Sequence, residues 1–232
     1  MDRGLVAFAV AATADGTEVG RFHAPKPLQQ GIVGLRRRSR AVSRAQPRSS
    51  NRAKATRRLS RQHARIANMR RSFLHEVSSK LVQTHDRLCL EDLTVANLMS
   101  NRRLARAIGD AAWTELGRQL TYKAAWLGAE LVVCDRWFAS TKTCSGCGMV
   151  KQQMRLAERI YRCDRCGLTI DRDHNAAANL AAWAERSHAQ APDRQAGGRV
   201  NNAPGGEGAG RRRGDGATSP NEGGTDARAL LA

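Results

Sequence analysis

The chain is 232 residues long, 41% hydrophobic and 26% charged, with a formal net charge of +18. That length suits one domain, or one domain plus a small module, and the hydrophobic share supports a core over part of it. A mean hydropathy of −0.53, with no apolar run near the ~18 residues of a spanning helix, excludes an integral membrane protein. A pI near 11.1 asks for a polyanionic partner, and aromatics at 4% make base stacking a minor binding mode at most.

Residues 5–12 are wholly apolar. The stretch is short and Asp2 spoils the basic leader of a signal peptide. A strand fits better, with Asp15-Gly16 as the turn and residues 17–22 returning as its partner. A further strand completes the first zone, residues 1–34. The expected location is therefore cytoplasmic, at the nucleoid.

Residues 36–71 hold 13 Arg, one Lys and no acid. Leu59, Ile66, Phe73, Val77 and Leu81, with Met69 close by, recur at helical spacing. They predict a long helix over about 52–84 inside a basic zone at 35–85. Arg57, Arg61 and Arg65 share another face at i, i+4 intervals. A charged face is often merely solvated, but charge of one sign on this scale repels itself and favours a nucleic-acid backbone.

Arg87-Leu88-Cys89-Leu90 reads as a strand ending in Glu91-Asp92. Ser100 is an N-cap candidate for a second helix. Leu104, Ile108, Ala112, Leu116 and Leu120 mark its buried stripe, and Gly128 its stop. Leu131-Val132-Val133-Cys134 is another strand, ending at Asp135. This β-α-β order implies a mixed α/β core. From residue 186 the chain reads as a disordered tail: its last 42 residues hold 10 of the 21 glycines and no aromatic. Arg211-Arg212-Arg213 in it is read as solvated.

Cys144-x-x-Cys147 and Cys163-x-x-Cys166 are separated by 15 residues, and each pair is followed by glycine. That is the spacing of a four-cysteine zinc ribbon. Four thiolates at ~2.3 Å close a tetrahedral shell, so the Zn2+ is structural. Lys142, Lys151, Arg162 and Arg165 are near in sequence to offset the thiolate charge. Cys89 and Cys134 lie in apolar strands and read as core.

Acids are scarce, so their positions matter. Asp2 opens the first strand, Glu91 ends a later one, and Asp171 and Asp173 precede Asn175-Ala176-Ala177-Ala178-Asn179-Leu180, a small-residue helix. Carboxylates at strand ends and a helix start can converge on one sheet edge, and three can hold two Mg2+ ions ~3.5–4 Å apart for phosphodiester cleavage. Each also has an ordinary reading: Asp2 as a frayed terminal residue, Glu91 as a solvated strand end, Asp173 as the cap of a helix starting at His174.

The order Asp2-Arg3-Gly4-Leu5, Leu90-Glu91-Asp92-Leu93, Cys144-Ser145-Gly146-Cys147-Gly148, Cys163-Asp164-Arg165-Cys166-Gly167 and Asp171-Arg172-Asp173-His174-Asn175-Ala176-Ala177 resembles the TnpB (OrfB) proteins of insertion sequences. These are relatives of the type V CRISPR effector nucleases. Asp135-Arg136-Trp137-Phe138-Ala139-Ser140-Thr141-Lys142-Thr143-Cys144 resembles the family's approach to its zinc ribbon. The resemblance covers about residues 1–183. It implies an RNase H-like (RuvC) mixed sheet, an α/β fold, with a long basic helical insertion and an inserted zinc ribbon. The expected layout is a nuclease core at 1–138 with the insertion at about 35–85, a ribbon at 139–167, a final core segment at 168–185 and a tail at 186–232.

In that family the catalytic, magnesium-binding carboxylates match Asp2, Glu91 and Asp173, with Asp171 as the fallback for the third. The members are RNA-guided, Mg2+-dependent DNA endonucleases, historically called transposases, so DNA and a guide RNA are the expected partners. Full-length members carry a sizeable part before the first catalytic Asp, which binds guide RNA and reads a flanking motif. The expectation is thus either a truncated remnant or a late-assigned start. As it stands, the chain is expected to keep its fold and zinc and to bind nucleic acid without guided cleavage. The alternative is a non-catalytic basic zinc-ribbon protein that binds nucleic acid and never cuts.

Overall fold

The computed structural model describes residues 1–155 and 157–189. β1 (Asp2–Arg3), β2 (Ala9–Ala12) and β3 (Glu18–Phe22) form an antiparallel sheet in that order. Val10 stands opposite both Asp2 and Arg21. The β2–β3 turn is the expected one: Gly16 takes φ +91°, and Asp15 accepts the Thr17 N–H at 3.1 Å. Strand pairing starts only at Ala9, so the apolar stretch 5–12 is half turn and half strand.

No strand follows this hairpin. Residues 27–44 are helix α1 (Pro27–Arg44), which corrects the expected third strand of the first zone. Pro27 presets the φ of the first helical turn. The cap comes from far away. Asp110 accepts the N–H groups of Leu28 and Gln29 at 3.0–3.2 Å, and Arg70 pairs with the same carboxylate at 2.8 Å.

α2 (Ser50–Thr84) is the expected long helix, opened by Ser49, which accepts the Arg52 N–H at 3.2 Å. It packs on α1 as a helical hairpin. The two helices approach closely at Gly31, where a Cβ would meet Ile66 Cδ1 at 2.7 Å, so a larger residue there would force Ile66 to shift. Leu74, Val77, Leu81 and Val82 are buried in the core, whereas Leu59 and Phe73 are half-buried and Met69 is exposed.

β4 (Arg87–Glu91) pairs in parallel with β5 (Glu130–Cys134), Glu91 lying opposite Cys134. β1 sits beside β4, since the Met1 nitrogen donates to Cys89 O at 2.7 Å. The helix expected between these strands is three: α3 (Val95–Met99), α4 (Ala105–Ala111) and α5 (Trp113–Leu127). Ser100 is at the C-terminal end of α3 rather than an N-cap. Ala112, at φ 54°, breaks the stripe between α4 and α5. Ile108, Leu116 and Leu120 are buried, but Leu104 is exposed. Gly128 ends α5 at φ 74° as expected.

The core lies between the sheets and the α2/α5 pair, with Phe8, Leu74, Val77, Leu88, Trp113, Leu116 and Leu120 at its centre. The opposite face is covered by α6 (Arg172–Ala189), whose Ala177 packs on Ala7 and Val10 and whose Leu180 and Ala184 pack on Cys89 and Cys134. Small residues allow this close approach. Residues 186–189 are helix, not tail. The tail from residue 190, with Arg211-Arg212-Arg213, lies outside the described residues. No helix among the described residues is long and apolar enough to cross a membrane.

Asp110 joins α1, α2 and α4, with its side chain only 5% exposed. Asp110→Ala removes a helix cap and strands Arg70, so it is expected to lower unfolding free energy by about 2 to 3 kcal/mol. Urea titration checks this, and Asp110→Asn should recover part of the loss.

Candidate functional site

Asp2 enters from β1, Glu91 from the end of β4 and Asp173 from the first turn of α6. Asp2 is 7% exposed, as is Asp173. Burial pushes the Asp2 carboxyl well above the usual range, and the charges of Glu91 and Asp173 push it further, Glu91 also sharing a hydrogen bond with it. The three acids predicted from sequence are thus gathered at one place. The topology does this: β1 and β4 run side by side, and α6 starts across their ends.

Each acid is held by neighbours. Glu91 accepts the Ser140 hydroxyl at 3.3 Å, and its backbone oxygen accepts from the Arg3 guanidinium. Asp173 accepts from Arg172 at 3.1–3.2 Å. A Cβ on Gly4 would stand 2.9 Å from Ala7 O, a clash with backbone that glycine avoids, and 3.9 Å from Asp173 Oδ2, an ordinary contact that puts Gly4 beside that carboxylate.

Asp171 does something else. Its carboxylate accepts the His174 N–H at 3.0 Å and pairs with Arg21 at 3.0 Å. It is therefore the helix cap, and the reading of Asp173 as cap of a helix starting at His174 is corrected: α6 starts at Arg172 and Asp173 lies in its first turn.

The four cysteines converge. Cys144, Cys147, Cys163 and Cys166 have Sγ atoms all within 4.8 Å of one another. The 144–166 and 147–163 pairs stand 3.6 and 3.5 Å apart, near the about 3.8 Å edge of a tetrahedron of thiolates around zinc. Two like knuckles build it. Gly148 N–H donates to Cys144 O at 2.9 Å and Gly167 N–H to Cys163 O at 3.0 Å. Both glycines have positive φ, +73° and +75°. The Cys166 backbone N–H, then that of Arg165, holds the Cys163 thiol low, at about 6. This donor set fits Zn2+ with no open position. The carboxylate trio does not form so tight a group.

β6 (Ile160–Arg162) and β7 (Thr169–Asp171) carry the second knuckle. Fully buried Tyr161 donates its hydroxyl to Lys142 O at 3.2 Å. Lys142 and Lys151 serve other partners, Gln152 O and Asp164.

Three residues that sequence reasoning passed over tie this metal centre to the acids. Asn175 accepts the Ser145 N–H at 2.9 Å and donates to Thr143 O at 2.7 Å. Asn179 donates to Ser140 O at 2.8 Å and Thr143 O at 2.6 Å. Ser140 in turn holds Glu91. Both asparagines are buried, and their i, i+4 spacing in an alanine-rich helix was the available clue. Cys89 and Cys134 are buried and apart from the four ligands, as expected. Arg57, Arg61 and Arg65 are exposed along α2, with no acid partner among the described residues.

The family model described as "Probable transposase" (OrfB of IS605) matches residues 1–102. That described as "Cas12f1-like, TNB domain" matches residues 113–180. A Streptomyces pristinaespiralis protein named "Putative RNA-guided DNA endonuclease" is 45% identical over 182 residues, 78% of this chain and 44% of the relative. An Escherichia coli K12 protein, "Putative RNA-guided DNA endonuclease InsQ", is 32% identical, over 75% of this chain and 46% of the relative. The chain therefore spans less than half the length of these relatives. In fold it is similar to the Cas12f1 chain of a cryo-EM complex with sgRNA and target DNA, at TM-score 0.51 and 15% identity, over 75% of this chain and 48% of that one. Its two model matches and its relatives agree: the chain belongs to the TnpB (OrfB) family.

Proposed function

We propose that this chain is the nuclease core of a Mg2+-dependent, RNA-guided DNA endonuclease of insertion sequences. The observation that carries the reading is the meeting of Asp2, Glu91 and Asp173 at the start of α6. In this reading the strands take the order β3-β2-β1-β4-β5, an RNase H-like (RuvC) sheet. The core comprises residues 1–138 and 168–185, with the helical hairpin as an insertion at about 35–85 and the ribbon at 139–167. Arg57, Arg61 and Arg65 face nucleic acid backbone, guide RNA or target DNA.

Asp2, Glu91 and Asp173 are the residues that would hold Mg2+, which supplies an activated water and charge neutralisation at the leaving oxygen. The surrounding residues preset the acids. Ser140 fixes Glu91 and Arg172 steadies Asp173. Burial first, and then repulsion from Glu91 and Asp173, raise the Asp2 pKa, the usual cost of assembling a cation site before the cation arrives.

The test is Mn2+ binding, followed by electron paramagnetic resonance on the zinc-loaded chain. Bound Mn2+ should be seen in the unaltered chain, compete with Mg2+, and be lost in Glu91→Gln. A folded chain that binds none would overturn the reading and leave a nucleic-acid-binding protein without catalysis.

A further inference from the structure

A cavity of about 350 Å³ opens between the end of β1 and the starts of α1 and α4. Gly4 lines it, and a Cβ on Gly4 would lie 3.9 Å from Asp173 Oδ2. At Gly4 the cavity wall thus comes near Asp173. Leu5, Ala24 and Ala107 give it an apolar lining, and Lys26, Arg103 and Arg106 stand around it. All three cations are exposed, and their side chains have no acid or other partner among the described residues.

The one acid in the wall, Asp110, is already engaged by Arg70 and by the first N–H groups of α1. The cavity therefore carries three uncompensated positive charges over an aliphatic surface. Concave, cationic and partly apolar, it matches one nucleotide: phosphate oxygens take Lys and Arg, and the sugar or base edge lies on the aliphatic wall. Its volume is in the range of small-molecule sites.

We propose that this cavity holds the nucleotide of a single strand adjacent to the phosphodiester presented to Asp2, Glu91 and Asp173. The adjacency rests on the nuclease reading above; the binding itself does not. Lys26 and Arg103 come from segments 77 residues apart in the chain, at the mouths of α1 and α4. Neither belongs to the basic run at 36–71, so composition gave no reason to single them out.

The experiment compares the unaltered chain with the triple variant Lys26→Gln, Arg103→Gln, Arg106→Gln. The probe is a fluorescent oligothymidylate carrying one photoreactive base, in Ca2+ so that no strand is cut. For three lost phosphate contacts on a single strand, the slope of log K against log[salt] should become shallower by about two. The unaltered chain should crosslink through peptides containing Leu5, Ala24 or Ala107, and the variant should not. An unchanged slope, or crosslinks elsewhere, overturns the proposal. So does an equal loss of affinity for duplex DNA, which would make the cations a general DNA surface. Zinc content and circular dichroism equal to the unaltered chain show that the variant is folded. Absent Mn2+ binding in the preceding test would remove the nuclease reading and still leave this measurement to judge the cavity.

Discussion

Asp173→Ala is expected to reduce metal-dependent strand cleavage by about 10³-fold or more, while Asp171→Ala leaves it within about threefold. The figure follows from metal stabilisation worth several kcal/mol, each ~1.4 kcal/mol being tenfold. The assay is cutting of single-stranded DNA in Mg2+, by this chain or by the chain joined to the N-terminal part of a longer relative. The two aspartates are two residues apart, yet their surroundings differ. Asp171 caps α6 and pairs with Arg21; Asp173 is buried, and its charge acts on Asp2.

Their stability effects should differ, the Asp171 loss costing more than the Asp173 loss, in which relief of repulsion offsets the lost Arg172 pair. Removing Asp171 loses a cap, worth about 1 kcal/mol. Removing Asp173 withdraws one of the charges that hold the Asp2 carboxyl high. In the metal-free protein it should leave Tm unchanged or raise it. An acid kept for structure would show the reverse, so thermal melts in chelator distinguish the roles without a cleavage assay. Cleavage that survives Asp173→Ala and dies with Asp171→Ala would exchange the two assignments.

What the sequence revealed was carried by short-range rules. The Asp15-Gly16 turn, the Ser49 cap of α2, the Gly128 stop and the Cys-x-x-Cys-Gly knuckles are local chemistry, and each stands where spacing put it. What it concealed was carried by contacts between distant segments. α1 begins at Pro27 because Asp110, 83 residues on, caps it. α4 and α5 are separate because Ala112 turns into the left-handed region, a conformation alanine does not announce. Ser140, Asn175 and Asn179 stand in segments the sequence does single out, but their task, to join two centres that the motifs describe one at a time, is written in neither. The acids were legible only as an ordered set. Which of the pair Asp171 and Asp173 turns inward was settled by β7 and the start of α6.

Stripping zinc, or replacing Cys163 by Ser, is expected to unfold residues 144–171 while leaving the α2/α5 layer intact. Structural zinc contributes on the order of 10 kcal/mol to folding of isolated zinc modules, and little else holds this one. Its two-stranded sheet is three residues a side, too short to stand alone. Tyr161, packed with Cys144 and Cys163, is the one large buried side chain of a small core rimmed by half-buried Met149, Met154, Leu168 and Ile170. One zinc per chain should be found by mass spectrometry, and Cys163→Ser should lose it. Cys89→Ala and Cys134→Ala should not, since those thiols pack on Leu180 and Ala184. Limited proteolysis should then cut the zinc-free chain between residues 144 and 171 first.

The loss should not stop at the ribbon. Asn175 and Asn179 would lose their partners at Ser145, Thr143 and Ser140, and two buried amides would be left unsatisfied. That costs about 1–3 kcal/mol each. Ser140 would no longer be held against Glu91. Zinc removal should therefore weaken Mn2+ binding at the carboxylates by about tenfold or more, in the range of other supporting-shell losses. Asn179→Ala should reproduce part of that weakening with zinc still bound. If the zinc-free chain binds Mn2+ as tightly as the loaded one, the two centres are independent and the asparagine bridge serves the ribbon alone.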